Sequence, residues 1–179
     1  MTRSRMFFRI GVATLLLMMA GCASTSLAPV KTVADVDIQR FMGDWYVIAH
    51  IPTFIERNAF NAIERYDWNK DGTIATTFTF REGAFDGAPK RYTPTGFVVD
   101  YVNHSTWGMQ FLWPLKSEFL IASLDRDYQE TIIARSSRDY VWIMARTPTI
   151  PEEHYTRLIG EVRAMGYDVA QLRKVPQHW

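Results

Sequence analysis

Among 179 residues there is a single cysteine, Cys22. That excludes an internal disulfide framework and a Cys-rich zinc site. Charge of one sign is also lacking: 20 Lys and Arg stand against 19 Asp and Glu, for a net +1. With no Lys/Arg run, the basic stripe that nucleic acid requires is absent. No apolar run reaches the ~20 residues of a membrane-spanning helix. The four histidines, His50, His104, His154 and His178, are scattered, and none has metal-ligand spacing with another His or with the Cys. The chain has no Gly-x-Ser-x-Gly elbow, no P-loop and no paired-glycine dinucleotide motif. No internal repeat or second domain is evident. What is present is 47% hydrophobic and 14% aromatic, the composition of one globular domain.

The N-terminus reads as an address. Arg3, Arg5 and Arg9 precede an apolar and small stretch, Ile10 to Ala20, with no acid before Asp35. This fits a secretory signal peptide over 1–21. The stretch ends Leu17-Met18-Met19-Ala20-Gly21-Cys22, which resembles a bacterial lipobox. The resemblance implies acylation of Cys22 on sulfur, cleavage before it, and acylation of the new amine; the alternative is a plain secretory signal that happens to contain Cys22. Loss of 1–21 leaves 17 basic and 19 acidic residues, a net −2. Two or more acyl chains anchor stably, where one does not. Ala23 stands where an aspartate would signal inner-membrane retention, so the resemblance implies the outer membrane, periplasmic face. Residues 22–34, rich in Ala, Ser and Thr, read as a tether to a domain over 35–179.

The domain reads as eight strands and one helix. Segments 43–51, 61–68, 73–81, 91–100, 107–113, 118–124, 131–135 and 140–146 are rich in β-branched and aromatic residues. Asp71-Gly72 marks a hairpin. Pro94 predicts an edge or bulge in the fourth strand. Even spacing and short turns suit a sandwich or an up-and-down barrel. After the strands, Thr149-Ile150-Pro151-Glu152 predicts a capping box, Tyr155, Leu158, Ile159, Val162 and Met165 recur at helical spacing, and Gly166 supplies a stop. That stripe docks the helix on the outside of a sheet.

Three regions select the barrel. Gly43-Asp44-Trp45-Tyr46 opens the first strand after a short Asp37–Phe41 segment. Asp125-Arg126-Asp127-Tyr128 links two late strands, and Arg146 ends the last one. Together they resemble the signature regions of lipocalins, and Ser137 to Thr149 resembles bacterial lipocalins of the outer-membrane lipoprotein type. The resemblance spans residues 35–178. It implies an all-β fold, an eight-stranded antiparallel up-and-down barrel with one C-terminal helix outside. Gly43, Trp45, Asp125, Asp127, Tyr128 and Arg146 are then structural, with Trp45 closing one end and Arg146 lying on its face in a cation–π contact. The pair Asp125 and Asp127 reads as strand capping.

Alternation along strands, with Trp45 inward, puts Val47 and Ala49 in the lumen. The resemblance sets the phase elsewhere. It brings in Ala62, Glu64, Tyr66, Thr76, Phe78, Phe80, Val98, Met109, Phe111, Phe119, Ile121, Ala134, Tyr140, Trp142 and Met144. The expected ligand site is Glu64, Tyr66, Phe78, Phe80, Val98, Met109, Phe111, Ile121, Tyr140 and Trp142. A lining this apolar suits an acyl chain, and a carboxylate at Glu64 needs a partner, a proton or water at the mouth. Burying ~14 methylenes gives roughly 11 kcal/mol gross against ~4–15 kcal/mol for association, so reversible carriage is expected. The resemblance thus implies binding of fatty acids or lysophospholipids for lipid storage or transport in envelope maintenance under stress, with no catalysis, metal or cofactor. Alternatives are an interaction lipoprotein with a closed lumen, or a lipid-ester enzyme using the calyx. Oligomeric state stays open; a homodimer is one expectation, since some relatives of this type dimerise.

Overall fold

A computed structural model describes residues 28–179. The expected signal peptide over 1–21 and the expected lipidation site Cys22 lie outside the described residues. The chain folds into a closed antiparallel barrel. Its strands are β1 (Gly43–Ile51), β2 (Ala59–Trp68), β3 (Thr73–Glu82), β4 (Pro89–Tyr92), β5 (Thr95–Val98), β6 (Thr106–Leu112), β7 (Leu115–Leu124), β8 (Glu130–Ala134) and β9 (Val141–Ala145). Along the order β1-β2-β3-β5-β6-β7-β8-β9 each strand pairs with the next, β4 pairs with β3, and β1 closes the cylinder against β9. The eight expected strands are there, with one broken: the 91–100 segment becomes β4 and β5, both paired to β3 on either side of Thr93-Pro94. Proline lacks the N–H a ladder needs. Its carbonyl still accepts from Thr76 N at 3.1 Å, so the wall stays closed there.

One end is sealed by side chains. A one-turn helix α1 (Ile38–Phe41), capped by the Asp37 carboxylate accepting from Arg40 N, delivers Phe41 to the barrel axis. Phe41 stands 5.0 Å from Trp45, 5.6 Å from Tyr66 and 5.3 Å from Trp107, ring to ring, and all four are buried. Trp45 Nε1 donates to Phe41 O at 2.8 Å, so the indole is buried without an orphaned donor. The guanidinium of Arg146 lies 3.8 Å above the Trp45 ring. It donates to the carbonyls of Arg40, Phe41, Met42, Asp44 and Tyr128. Gly43 enters β1 at a φ of +96°, a conformation L side chains rarely adopt, which is what the position requires of a glycine. Asp125 caps the β7–β8 turn, its carboxylate accepting from Asp127 N, Gln129 N and Glu130 N.

The second core lies outside the barrel. Helix α2 (Glu152–Ala164) packs Tyr155, Leu158 and Val162 onto Ile48, Ala49, Ile132, Val141 and Ile143. It ends in a Schellman motif, with Gly166 at φ +92° and Tyr167 N donating back to Val162 O at 3.4 Å. The expected capping box does not form. Pro151 is the N-cap and makes no side-chain cap bond, while Glu152 turns away to Lys174 at 3.0 Å.

Two further expectations, for Ala49 and Ala134, are corrected. Ala49 and Ala134 face the helix, not the lumen. In β1 a bulge at Ile48 sets Val47 opposite Met144 and Ala49 opposite Ile143, reversing the phase beyond it. In β8 every residue is buried, between lumen and helix, so no polar alternation marks its faces; Ile133 points inward. Within residues 28–34, which fall in the expected tether, Val33 N donates to Ile121 O at 2.9 Å and Val30 packs on the helix-side core. Finally, the C-terminus joins the barrel. A 3-10 turn leads to β10 (Arg173–Lys174), which pairs with β1 at Ala49 and His50. Pro176 O and Gln177 Nε2 then bridge to Asn61 N, Val47 O and Ala62 O. This segment fills the seam where β1 and β2, paired only over 43–46 and 63–66, separate.

Candidate functional site

Opposite the Trp45 seal, the lumen opens into a cavity of about 440 Å³, within the range of small-ligand pockets. Its lower wall is Glu64, Phe78, Met109 and Phe119; its upper wall is Tyr92, Phe111, Tyr140 and Trp142; the β1–β2 loop contributes Thr53 to Glu56. The β6–β7 and β8–β9 hairpins complete the rim with Ser117, Glu118 and Arg135. The closed-lumen alternative therefore does not describe this barrel.

Six of the expected ligand residues border this space: Glu64, Phe78, Met109, Phe111, Tyr140 and Trp142. Four do not. Tyr66 belongs to the aromatic seal, 5.6 Å from Trp107 and 5.9 Å from Phe119. Val98 and Ile121 are packed in the wall, and Phe80 is buried behind Phe78 and Tyr92, 5.2 and 6.2 Å away. The phase of these four is inward, but the seal and neighbouring rings fill their depth. Sequence reasoning missed Thr53, Phe54, Ile55 and Glu56, which lie in a loop with no period to read. It missed Tyr92 because Pro94 interrupts the alternation; its pairing with Phe78 restores it.

The polar groups are arranged unequally. Glu56 is buried in the loop and holds it folded. Its carboxylate accepts from Thr53 N at 3.0 Å and from Trp142 Nε1 at 3.2 Å, and His50 Nδ1 is 3.6 Å away. Burial pushes its pKa up, but the contacts with His50, Thr53 and Trp142 outweigh that and leave it below the usual carboxylate range. Glu64 is the opposite case. It meets water only through the cavity and is otherwise surrounded by protein, and burial, reinforced by the charge of Glu56, raises its pKa to about 8. At neutral pH it is a protonated acid on an apolar wall, which answers how a carboxyl is tolerated there. At the rim, Glu118 accepts from Ser136 N and Oγ at 2.5 and 3.0 Å, and Arg135 Nε lies 3.4 Å from Asp139. The cavity can enclose an apolar chain and leave a polar end at the rim.

A family profile described as a lipocalin-like domain matches residues 36–177. Temperature-induced lipocalin-1 of Arabidopsis thaliana is 30% identical over 159 residues, 86% of each chain. Outer membrane lipoprotein Blc of Escherichia coli strain K12 is 26% identical over 172 residues, covering 94% of this chain and 95% of its own. Among solved structures, insecticyanin from the tobacco hornworm superposes with a TM-score of 0.65 at 14% identity, over 83% of this chain and 84% of its own. The cockroach allergen Per a 4 gives 0.62 at 18% identity, over 86% and 96%. At such identities the structural likeness concerns the fold alone.

Proposed function

The chain belongs to the lipocalin-like family, and from that premise we propose that it carries single-chain lipids, fatty acids or lysophospholipids, at the bacterial outer membrane. The carrying observation is the blind, apolar cavity of about 440 Å³, closed below by the Trp45 seal and open above. Its walls offer rings and methyl groups with few fixed polar partners, which suits an acyl chain and selects weakly among chains. A polar headgroup would stay at the rim, where Glu118, Arg135 and Ser117 meet water. The neutral Glu64 lets a chain pass without confronting a charge. Family membership supports a binding role in place of catalysis, and the Blc relative's name supports an outer-membrane location. Anchoring through acylated Cys22, with the barrel in the periplasm, rests on the lipobox resemblance of 17–22. Storage or transport of lipid during envelope stress is the physiological role this reading proposes.

Native mass spectrometry of the protein purified from membranes tests both parts. It is expected to show acyl groups on Cys22 and a displaceable lipid of one chain. Trp142→Ala removes the largest ring of the upper wall and frees the Glu56 loop. We expect affinity for a fluorescent C16 fatty acid to fall about tenfold or more, since truncating a buried aromatic costs upward of ~1.4 kcal/mol. Unchanged affinity would remove the cavity from consideration as the site.

A further inference from the structure

The rim of the open end is unusually apolar. Phe54 in the β1–β2 loop is 78% exposed. At the β6–β7 tip, Phe111 and Leu112 are exposed with Trp113 at 81% and Leu115 at 70%. Strand direction puts both loops at the mouth, since Ile51 leaves β1 and Leu115 enters β7 away from the Trp45 seal. Large apolar side chains gathered from separate loops and left in water mark an interaction surface. Two of them, Phe54 and Phe111, also line the cavity, so the apolar rim and apolar interior form one continuous surface.

A second observation fixes which way this crown faces. From Val36, whose N–H bonds Asn103 O beside the seal, the described N-terminal segment runs up the barrel wall past Ile121 to Ala28. There the Arg138 guanidinium, in the β8–β9 turn at the mouth, donates to Ala28 O. Arg138 is itself fixed to Ser136 O at 2.6 Å and Met165 O at 3.1 Å. The chain therefore leaves the described fold on the mouth side. Five residues lie between Cys22 and Ala28, and the six steps along the chain reach about 20 Å at ~3.3 Å per residue.

We infer that the Phe54/Phe111–Leu115 crown is a membrane-docking surface that seats the open mouth in the headgroup region of the leaflet carrying the anchor. Tryptophan and leucine side chains at a loop tip favour that boundary, where a ring can be half in hydrocarbon and half wet. Docking joins the cavity to the bilayer through Phe54 and Phe111, so a lipid chain can pass without crossing water. The inference deepens the lipid-carrier reading, which supplies the cargo, but its geometry stands on the crown and the position of Ala28.

The test uses the Cys22→Ser protein, which has no acyl group, sedimented with vesicles of phosphatidylethanolamine and phosphatidylglycerol. Trp113→Ser with Leu115→Ser, neither of which lines the cavity, is expected to lower the partition coefficient about tenfold or more. Tyr101→Ser with Val102→Ser, exposed apolar residues in the β5–β6 turn at the sealed end, is expected to leave it unchanged. No vesicle binding by the parent, equal binding by the crown variant, or equal loss in the sealed-end variant would overturn the proposal. A parent dimer that the crown variant dissociates, without vesicle binding, would overturn it too and make the crown a self-interface. Binding of the fluorescent fatty acid in lipid-free solution reads the cavity alone, so failure there sinks the carrier reading and leaves the docking result standing.

Discussion

Glu64 and Arg146 are both ionisable groups drawn out of water by the barrel, and they differ in the partners their surroundings supply. Burial lowers the pKa of Arg146, but a guanidinium starts so high that it stays protonated, and five carbonyls and the Trp45 face take the place of water around it. Lysine could not span the same set, since it lacks the planar fork of donors. Glu64 has no cation opposite it, and its pKa rises from an ordinary 4.5 to about 8. Between those values the folded protein holds a proton that the unfolded chain has released. Stability therefore declines as pH rises from about 4.5 to 8, and levels off above. Glu64→Gln removes the titration. Its melting temperature is expected to match the parent's near pH 4.5 and to exceed it at pH 8, by a stability on the order of 1–4 kcal/mol. Parallel thermal scans at the two pH values check this; a constant difference would show that Glu64 is not the titrating group. Ligand affinity in the parent should likewise weaken above pH 8, as an ionised carboxylate meets the acyl chain.

At the level of elements, α2 belongs to the outside of the barrel. Its buried stripe, Tyr155, Leu158 and Val162, covers the backs of β1, β8 and β9. Polar contacts tie down its exposed side: Glu130 receives His154 at 2.7 Å and Arg157, and Glu161 accepts from Ser123 Oγ at 2.6 Å. Leu158→Ala is expected to destabilise the fold by ~2–5 kcal/mol while leaving fatty-acid affinity within about twofold, because no atom of α2 borders the cavity. Chemical denaturation and ligand titration on one variant separate the two effects. A parallel loss of affinity would mean that the helix shapes the lumen.

For the whole molecule, closure depends on a segment far from the strands it joins. The last residues, 173–177, occupy the gap between β1 and β2 at the mouth half of the barrel. Deleting Arg173–Trp179 leaves Ile48 O, Asn61 N and their neighbours without partners and opens the wall beside Val47. The expected cost is on the order of 3 kcal/mol, a fall in melting temperature of roughly 6–12 °C, with weakened ligand retention. Differential scanning calorimetry and displacement of the fluorescent fatty acid measure the two. An unaltered melting temperature would show that the seam closes without this segment.

The signature residues were readable in the sequence because their chemistry is local and distinctive: a glycine where the backbone takes a positive φ, a tryptophan to seal, an arginine to cover it, an aspartate to cap a turn. Strand positions were readable too, as β-branched and aromatic runs between turns. The cavity's floor was not. Tyr66, Val98, Phe80 and Ile121 have the right phase, yet how deep a residue sits depends on Phe41 and Trp107, which arrive from elsewhere in the chain. Ala49 and Ala134 were misplaced because β1 and β8 are buried on both faces, leaving no polar alternation to record which side is which. The proton on Glu64, the docked path to Ala28 and the seam filled by residues 173–177 share one origin. Each follows from distances between segments remote along the chain, and only closure of the barrel sets those distances.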